Sequence, residues 1–289
     1  ILGQAQNAIF SIAQSKRRTS FISIQDALDE LLDKVQEMSE NPEPVTGLKS
    51  GFTLLDQWTT GFKPSELILI AARPAMGKTA FELNIAQQAA RVNPDSCIAL
   101  FSLEMPYEQL VSRLVSSVGN LPLQNLRTGR LGDPDWTRLD NASATLYDTQ
   151  IYIDDTPGVT VLEMRSKCQR LKMEHGLSLV CIDYLQLITG SGGNGRGAES
   201  RQQEVSEITR SLKLMARELD VPILLLSQLS RAPERRENHR PMLADLRDSG
   251  AIEQDADMVI FLYRESYYAM EKQDVDPSEI TNEAEVIIA

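Results

Sequence analysis

Residues 66–82 read ELILIAARPAMGKTAFE, and this stretch decides the fold of the chain. An apolar run, Leu67 to Ala72, is followed by a proline-containing turn, by Gly77-Lys78-Thr79 and by a helix-compatible segment from Ala80 onward. A strand, a loop and a helix start in this order are typical of a phosphate-binding P-loop. In such a loop the backbone N–H groups face the phosphates, the lysine reaches the β and γ oxygens, and the threonine hydroxyl binds Mg²⁺.

The loop departs from the strict motif at one position. The full pattern, G-x-x-x-x-G-K-[ST], has glycine where this chain has Ala72. The alternative is a chance Gly-Lys-Thr after a strand, but the strand before and the helix after are the context that supports a true match. We therefore predict that the chain binds a nucleoside triphosphate through Lys78 and Thr79.

Composition limits the classes of function. The length of 289 residues allows one large or two modest domains. Neither a run of 18 apolar residues nor a signal-peptide pattern occurs, so we expect a soluble, cytoplasmic protein with no membrane contact. A formal charge of −12 argues against coating of nucleic acid by bulk electrostatics, so any DNA contact should be local. The three cysteines form no CxxC pair and are expected to be buried and reduced.

Two helical segments precede the P-loop region. Residues 1–18 have a helical pattern and, beginning without a methionine, look like the end of a larger domain. Ser23 to Asp26 form a capping box, and the apolar residues that follow have helical spacing, which predicts an amphipathic helix over residues 23–38. Its apolar stripe packs either on its own domain or on a neighbouring subunit, and the pattern leaves both open. We assign residues 1–44 to this linker and residues 45–289 to the main domain.

Strands and helices alternate from Val45 onward, which predicts an α/β fold with a mainly parallel, twisted sheet and helices on both faces. The predicted strands are Leu67–Ala72, Cys97–Ser102, Ile151–Asp154, Leu179–Asp183, Pro222–Ser227, Asp257–Tyr263 and Glu285–Ala289. The predicted helices include Pro106–Val118, Val161–His175 and Gln202–Leu219. The glycine-rich stretch Thr189–Gly197 predicts a surface loop, with contact to a substrate as the alternative.

Polar side chains at the ends of these strands are candidates for chemistry, because ligands of such sheets bind at the carboxyl ends of strands. Asp183 ends an apolar run, and Mg²⁺ held jointly with Thr79 would stabilise its charge; capping of a following helix is the alternative. Glu104 ends another run and could orient the water that attacks the γ-phosphate. The alternative is that Glu104 lies in the first turn of helix Pro106–Val118, where the helix dipole favours a negative charge. Arg113, further along that helix, could reach nucleotide or pair with a carboxylate.

Two later segments are further candidates. Gln228 follows the predicted strand Pro222–Ser227 and could sense the γ-phosphate by hydrogen bonding. The polar turn Arg247-Asp248-Ser249-Gly250 could hold phosphate oxygens of DNA through the arginine and exposed N–H groups, without reading bases. On spacing alone an ordinary turn is the alternative.

Five motifs in order, ARPAMGKT, FSLEM, IDYLQL, SQLSR and LRDSG with IEQDAD, resemble those of the DnaB-like bacterial replicative DNA helicases, which have a RecA-like motor core. The resemblance covers essentially the whole chain. In that family the P-loop commonly begins with alanine, as it does here at Ala72.

The resemblance implies a homohexameric ring that hydrolyses ATP with Mg²⁺ at subunit interfaces, moves along single-stranded DNA and unwinds duplex at the replication fork. It also implies that helix 23–38 docks on the adjacent subunit, with primase and a helicase loader as partners. Residue by residue, it places the phosphates and Mg²⁺ on Lys78 and Thr79, with Ala75, Gly77 and Ala80 in the loop. It makes Glu104 the catalytic glutamate and Asp183 the Walker B aspartate, with Arg113 and Gln228 at the nucleotide and Arg247, Asp248 and Gly250 on the DNA backbone. The family has glutamate where this chain has the shorter Asp248.

The family also supplies an arginine finger from a Lys-x-Arg segment that would lie beyond Ala289. For a molecule ending at Ala289 we expect ATP binding to persist and hydrolysis to fall by about 10³ or more. Two other classes share parts of the pattern: a RecA-type strand-exchange ATPase, which would form filaments on DNA, and a non-catalytic assembly module that uses nucleotide structurally. Electron microscopy of the protein on DNA would reveal the filaments of a strand-exchange ATPase. An ATP turnover assay would separate a non-catalytic module from a helicase.

Overall fold

The computed structural model describes residues 21–40, 45–189, 198–236, 238–249, 252–269 and 283–289. Contacts divide the chain into two units, Ile1–Thr46 and Gly47–Ala289. The division lies close to the predicted boundary between residues 44 and 45, while the assignment of linker and motor roles stays a prediction. The predicted helix over residues 1–18 and most of the predicted glycine-rich loop lie outside the described residues.

The first unit contains helix α1 (Ile24–Glu40), which extends two residues past its predicted end. The Ser23 hydroxyl accepts a hydrogen bond of 3.1 Å from the Asp26 N–H and so caps the helix. The helix has one apolar side, and the large apolar side chains on it are exposed: Ile24, Leu28, Leu31, Leu32, Val35 and Met38.

The second unit contains a seven-stranded sheet and its covering helices. Its elements are α2 (Thr53–Thr59), β1 (Leu67–Ala72), α3 (Lys78–Val92), β2 (Cys97–Ser102), α4 (Tyr107–Gly119), α5 (Leu123–Thr128), α6 (Asp133–Tyr147), β3 (Gln150–Asp154), α7 (Val161–His175), β4 (Leu177–Asp183), α8 (Ala198–Leu219), β5 (Ile223–Gln228), α9 (Ile252–Asp255), β6 (Met258–Tyr263), α10 (Glu265–Ala269) and β7 (Glu285–Ile288). Three 3₁₀ turns, Leu185–Leu187, Ala232–Arg235 and Leu243–Ser249, complete the described set.

The strand order is β3-β2-β4-β5-β1-β6-β7. The pairings among the first six strands are parallel, and β7 runs antiparallel to β6. The predicted strands lie within two residues of the observed ones, and the predicted fold class is confirmed. Non-consecutive neighbours such as β1 and β5 require crossovers, and helices provide most of them.

The sheet is buried on both faces, as β1 shows. Its alternate residues, Leu67, Leu69 and Ala71, belong to one apolar cluster with residues of α7 and α8. The residues between them belong to a second cluster with residues of α3 and α4. Because neither face of the strand meets water, its sequence is continuously apolar instead of alternating. The three cysteines are buried and free, as predicted.

The sequence prediction named no helix at α2, α5, α6, α9 or α10. In α6 the only buried residue is Ala142, so this helix contributes little to the core. Its start is nevertheless marked, since Pro134 lies in the first turn and Asp135 accepts a hydrogen bond of 3.2 Å from the Gly132 N–H. Among the described residues, no helix is long and apolar enough to cross a membrane.

Candidate active site

The carboxyl ends of four adjacent strands, β2, β4, β5 and β1, meet at one edge of the sheet. The register aligns Ser102 with Asp183 and Ala72 with Gln228. The parallel arrangement therefore brings together chain segments that are far apart in sequence. Ligands of open parallel sheets bind at this edge.

The loop between β1 and α3 has the backbone form of a phosphate cradle. Ala75 has φ of 65° and Gly77 has φ of 91°, both in the left-handed region. Helix α3 begins at Lys78, two residues before the predicted start at Ala80. Because Gly77 has no side chain with which to cap the helix, the first N–H groups of α3 are available to an anion.

Thr79 and Asp183 form the centre of the site. The Thr79 hydroxyl donates a hydrogen bond of 2.6 Å to Oδ2 of Asp183. Asp183 is 2% exposed, and its Oδ1 has no hydrogen-bond partner in the described part of the chain. Burial raises the pKa of Asp183, against the opposing effects of the Thr79 hydrogen bond and the charges of Lys78 and Arg113. A buried carboxylate oxygen without a partner indicates a missing ligand.

These oxygens fit Mg²⁺, which prefers hard oxygen ligands and usually retains several water molecules. Thr79 supplies a hydroxyl and Asp183 a carboxylate, and the free Oδ1 gives the latter a coordination position. Within the described ranges, no group of three or more His, Cys, Asp or Glu could hold a metal ion.

Lys78 lies beside this pair. Its Nζ is 4.5 Å from the centroid of the Tyr184 ring, a cation–π contact. Burial lowers the pKa of Lys78, while the nearby carboxylates of Asp183, Glu82 and Glu104 act in the opposite direction. The ammonium is therefore held among carboxylates, at the start of the helix whose N–H groups face the site.

Glu104 is exposed and lies in the turn after β2. It is near enough to Lys78 to affect the pKa of that lysine. Helix α4 begins at Tyr107 and has Glu108 in its first turn. The alternative reading of Glu104, as a first-turn residue of this helix, is therefore wrong, because Glu104 precedes the helix.

Arg113 and Gln228 border the same edge. Arg113 is half-buried on α4, and its Nε has no hydrogen-bond partner among the described residues. Gln228 is exposed at the end of β5, opposite Ala72 in the register. Its N–H donates to Oε1 of Gln186 at 3.4 Å, so a side chain from the turn after β4 holds the end of β5.

Four residues at or near this edge were not identified from sequence: Arg73, Glu82, Tyr184 and Gln186. Arg73 donates to the Leu229 carbonyl at 2.8 Å and forms an ion pair with Glu234. Glu82 follows Thr79 by three residues and Lys78 by four, so the three side chains lie on one face of the helix. This spacing could have pointed to Glu82 from the sequence. The pairing of Arg73 with Glu234 had no such signal.

The proposed DNA segment is only partly described. Arg247 and Asp248 lie in the 3₁₀ turn Leu243–Ser249, and their side chains are outside the described set. Gly250 lies outside the described residues. Their contact with DNA stays a prediction.

The fold and this site define a P-loop nucleotide-binding domain with a mainly parallel sheet. Residues 47–289 match the family described as "DnaB-like helicase C terminal domain", and the chain belongs to this family. It is 50% identical over 289 residues to "Replicative DNA helicase DnaC" of Bacillus subtilis and equally identical to "Replicative DNA helicase DnaB" of Geobacillus stearothermophilus. Both alignments cover 100% of this chain, which spans 62% of the length of either relative.

Solved structures agree with this assignment. One of them, described as an "ATPase Domain", has a TM-score of 0.84 and 41% identity, covering 93% of this chain and 91% of its own. A structure of a DnaB-like replicative helicase "And Its Interactions With Primase" has a TM-score of 0.78 and 36% identity, covering 98% of this chain and 68% of its own. Because both structures are similar to this chain in sequence as well as in shape, they support its family membership and not the fold alone.

Proposed function

We propose that this chain is the linker helix and motor domain of an ATP-hydrolysing replicative DNA helicase that moves along single-stranded DNA and unwinds duplex. The observation that carries the proposal is the convergence of Lys78, Thr79, Asp183 and Glu104 at the carboxyl edge of the sheet. Family membership supports it, since relatives that match the whole chain are named replicative DNA helicases.

Nucleotide binding follows from the loop and the start of α3. The N–H groups around Ala75, Gly77 and Ala80 would surround the phosphates, and Lys78 would contact the β and γ oxygens. Thr79 and Asp183 would hold Mg²⁺, which when bound would supply positive charge to offset the negative charge of the phosphates. Arg113, whose Nε lacks a partner among the described residues, would contact the nucleotide.

Hydrolysis requires a group that orients water beyond the γ-phosphate. Glu104 is suited to this role because it is exposed beside Lys78, where its carboxyl group can reach water and act on it as a general base. Gln228, at the adjacent strand end, would sense the γ-phosphate and affect the loop that follows it.

Translocation would use the segment containing Arg247, Asp248 and Gly250, which would hold the DNA backbone through phosphate contacts. Assembly into a homohexamer would use the helix over residues 23–38, whose apolar side is exposed in the described structure. Primase and a helicase loader are further proposed partners. Primase is supported by the related DnaB-like helicase whose structure is reported with its primase interactions.

The first test is ATP turnover by the native chain and by a Lys78→Ala variant, each with and without single-stranded DNA. When the chain is extended past Ala289 by the Lys-x-Arg segment, we expect DNA-stimulated turnover that Lys78→Ala abolishes, because the variant loses the ammonium that the P-loop places against the phosphates. The assay is run at protein concentrations that allow assembly, and nucleotide binding is measured in parallel.

If Lys78→Ala hydrolyses ATP at the native rate, the assignment of the nucleotide site is refuted. If the chain binds nucleotide without turnover, also when it is extended by the Lys-x-Arg segment that the family resemblance implies, it is a structural nucleotide-binding module. Filaments on DNA in electron micrographs would instead indicate a strand-exchange ATPase.

A further inference from the structure

Arg73 is the first residue after β1, at the start of the nucleotide loop, and the proposed hydrolysis gives it no role. Its side chain is only 12% exposed, although arginine is usually solvated. The guanidinium donates from Nη1 to the Leu229 carbonyl at 2.8 Å and from Nε to Oε1 of Glu234 at 2.8 Å. Both partners belong to residues 229–236, which we call the connecting segment. One side chain of the nucleotide loop therefore holds this segment at two points.

The connecting segment is attached to the nucleotide loop through its backbone as well. The Leu229 N–H donates to the Ala72 carbonyl at 3.1 Å, so both polar groups of the Leu229 backbone are bound at the end of β1. Leu229 is buried, so water cannot readily replace these bonds. Glu234 lies in the 3₁₀ turn Ala232–Arg235, which the ion pair fixes to Arg73. A shift of the loop at Arg73 must therefore move the connecting segment or break these contacts.

The other side of the connecting segment contacts the turn proposed to hold DNA. The Ser230 N–H donates to the Asp245 carbonyl at 3.3 Å, and Arg236 forms an ion pair with the Asp245 carboxylate. Asp245 lies in the 3₁₀ turn Leu243–Ser249, which contains Arg247. Hydrogen bonds and ion pairs thus run without interruption from the nucleotide loop to the turn that contains Arg247.

The chemistry of arginine suits this position. Its planar guanidinium donates in separate directions at once, whereas the ammonium of a lysine is a single compact group. The partner carboxylate of Glu234 is 41% exposed, and a partly exposed ion pair contributes little to the stability of a fold. The pair can therefore be removed without unfolding the domain, and stability does not account for its position between two functional segments.

We propose that Arg73, together with Glu234, is a positioning residue that couples nucleotide binding to DNA binding. The inference rests on the proposed function and names the contact that joins its two sites. A nucleotide in the loop would fix Arg73, and Arg73 would fix the connecting segment and, through it, the turn that contains Arg247. Networks of this kind can carry coupling between distant sites when both sites bias them.

The test measures affinity for a fluorescent single-stranded oligonucleotide by anisotropy, with and without a non-hydrolysable ATP analogue. For the native chain we expect the analogue to strengthen DNA binding by about 5- to 150-fold, the usual range of coupling between two sites. In Glu234→Ala, which removes the partner of Arg73 outside the nucleotide loop, this ratio should fall to near one. Affinity for the analogue in the absence of DNA should stay native.

Reciprocity and a matched control separate coupling from a structural effect. DNA must change the affinity for the analogue by the same factor as the analogue changes the affinity for DNA. A merely structural defect would weaken either affinity without changing this ratio. Glu174→Ala removes an equal charge from an exposed position on α7 and should retain the native ratio. Thermal unfolding shows that each variant is folded.

A second variant changes the other partner of the contact. Arg73→Lys keeps the positive charge and loses the planar fork, so its ratio should also fall. The double variant, Arg73→Lys with Glu234→Ala, should show no further fall, because both changes break the same contact. If one single variant does not fold, the other still gives the ratio.

A native ratio in folded Glu234→Ala would overturn the inference and leave the ion pair a structural contact. Effects that multiply in the double variant would also overturn it, because the two residues would then act separately. A native chain whose DNA affinity is the same with and without the analogue would overturn it too, while the nucleotide and DNA sites would stand. The absence of nucleotide binding or of DNA binding in the native chain would refute the proposed function, and this inference with it.

Discussion

Asp183 and Glu104 both follow apolar strands at the same edge of the sheet, yet one is buried and the other is exposed. The buried group has a raised pKa and an oxygen without a partner among the described residues, so it is suited to holding a cation. The exposed group keeps contact with water and is suited to orienting it. Different environments thus suit the two carboxyl groups to the different roles proposed for them.

A single carboxylate outside the site should contribute stability that depends on pH. Asp154 ends β3, and hydrogen bonds from Lys167 and Thr156 outweigh the effect of burial and lower its pKa. Such a group stabilises the fold above its unfolded-state pKa of about 4, and the stabilisation is lost as pH falls through the folded-state value. We expect Asp154→Asn to lower the free energy of unfolding at pH 7 by about 1 kcal/mol, since partly exposed ion pairs contribute no more.

Urea unfolding at several pH values checks this prediction. The difference between Asp154→Asn and the native chain should disappear in acid, below the folded-state pKa of Asp154. Asp140→Asn, an exposed change on α6 with the same loss of charge, serves as the control and should have little effect at any pH. A difference for Asp154→Asn that persists at low pH would contradict an ionic origin.

Single residues also show what a sequence can and cannot reveal. Asp183 and Glu104 were identifiable because each follows an apolar run, and Lys78 and Thr79 because the P-loop is contiguous. Glu82 was not, since a glutamate in a helix is usually solvated and its burial is set by how the folded domain packs around α3. The pairing of Arg73 with Glu234 joins residues 161 positions apart and leaves no periodic signal.

At the scale of elements, the 3₁₀ turn Leu243–Ser249 is attached to the rest of the chain through Asp245. This residue is 2% exposed, pairs with Arg236 and accepts a hydrogen bond of 2.8 Å from the Met242 N–H. Its carbonyl accepts from the Ser230 N–H at 3.3 Å, two residues beyond Gln228. The turn that includes Arg247 is thus joined to the chain that follows the nucleotide edge.

We expect Asp245→Asn to destabilise this turn and weaken binding of single-stranded DNA. The free energy of unfolding should fall by about 3 kcal/mol, because Arg236 loses its buried partner. DNA affinity is measured by fluorescence anisotropy, with Arg247→Ala as the comparison that removes the proposed contact itself. Basal ATP turnover should persist in Arg247→Ala. Native DNA affinity in both variants would place the DNA contact elsewhere.

Elements differ in how far their sequence predicts them. The central strands were predictable because burial on both faces makes them almost continuously apolar, as in Leu67–Ala72. Helix α6 was missed because its stability depends on its ends and on one buried residue, Ala142. Sequence patterns therefore reveal the elements whose side chains form the hydrophobic core. They miss helices that pack on the outside of the core and bury few residues.

At the scale of the whole molecule, helix α1 should control assembly. Leu31 is 54% exposed on its apolar side, and the helix belongs to a different unit from the sheet. We expect Leu31→Gln to reduce the oligomer measured by analytical ultracentrifugation, without changing the thermal unfolding of the sheet domain. Glu30→Gln, an exposed change beside it, is the control and should preserve the oligomer. An unchanged oligomer in Leu31→Gln would exclude this side of α1 as the contact.

The place of β1 in the sheet has a consequence for how the protein is made. Its two neighbours are β5 (Ile223–Gln228) and β6 (Met258–Tyr263), so both follow it by more than 150 residues. A nascent chain on the ribosome exposes Leu67–Ala72 without a pairing strand until β5 has emerged, and such a segment is prone to aggregation. The loop that would bind nucleotide is consequently among the last parts to take shape during synthesis. Chaperones that shield apolar segments should therefore matter more to this chain than to a domain built from adjacent hairpins.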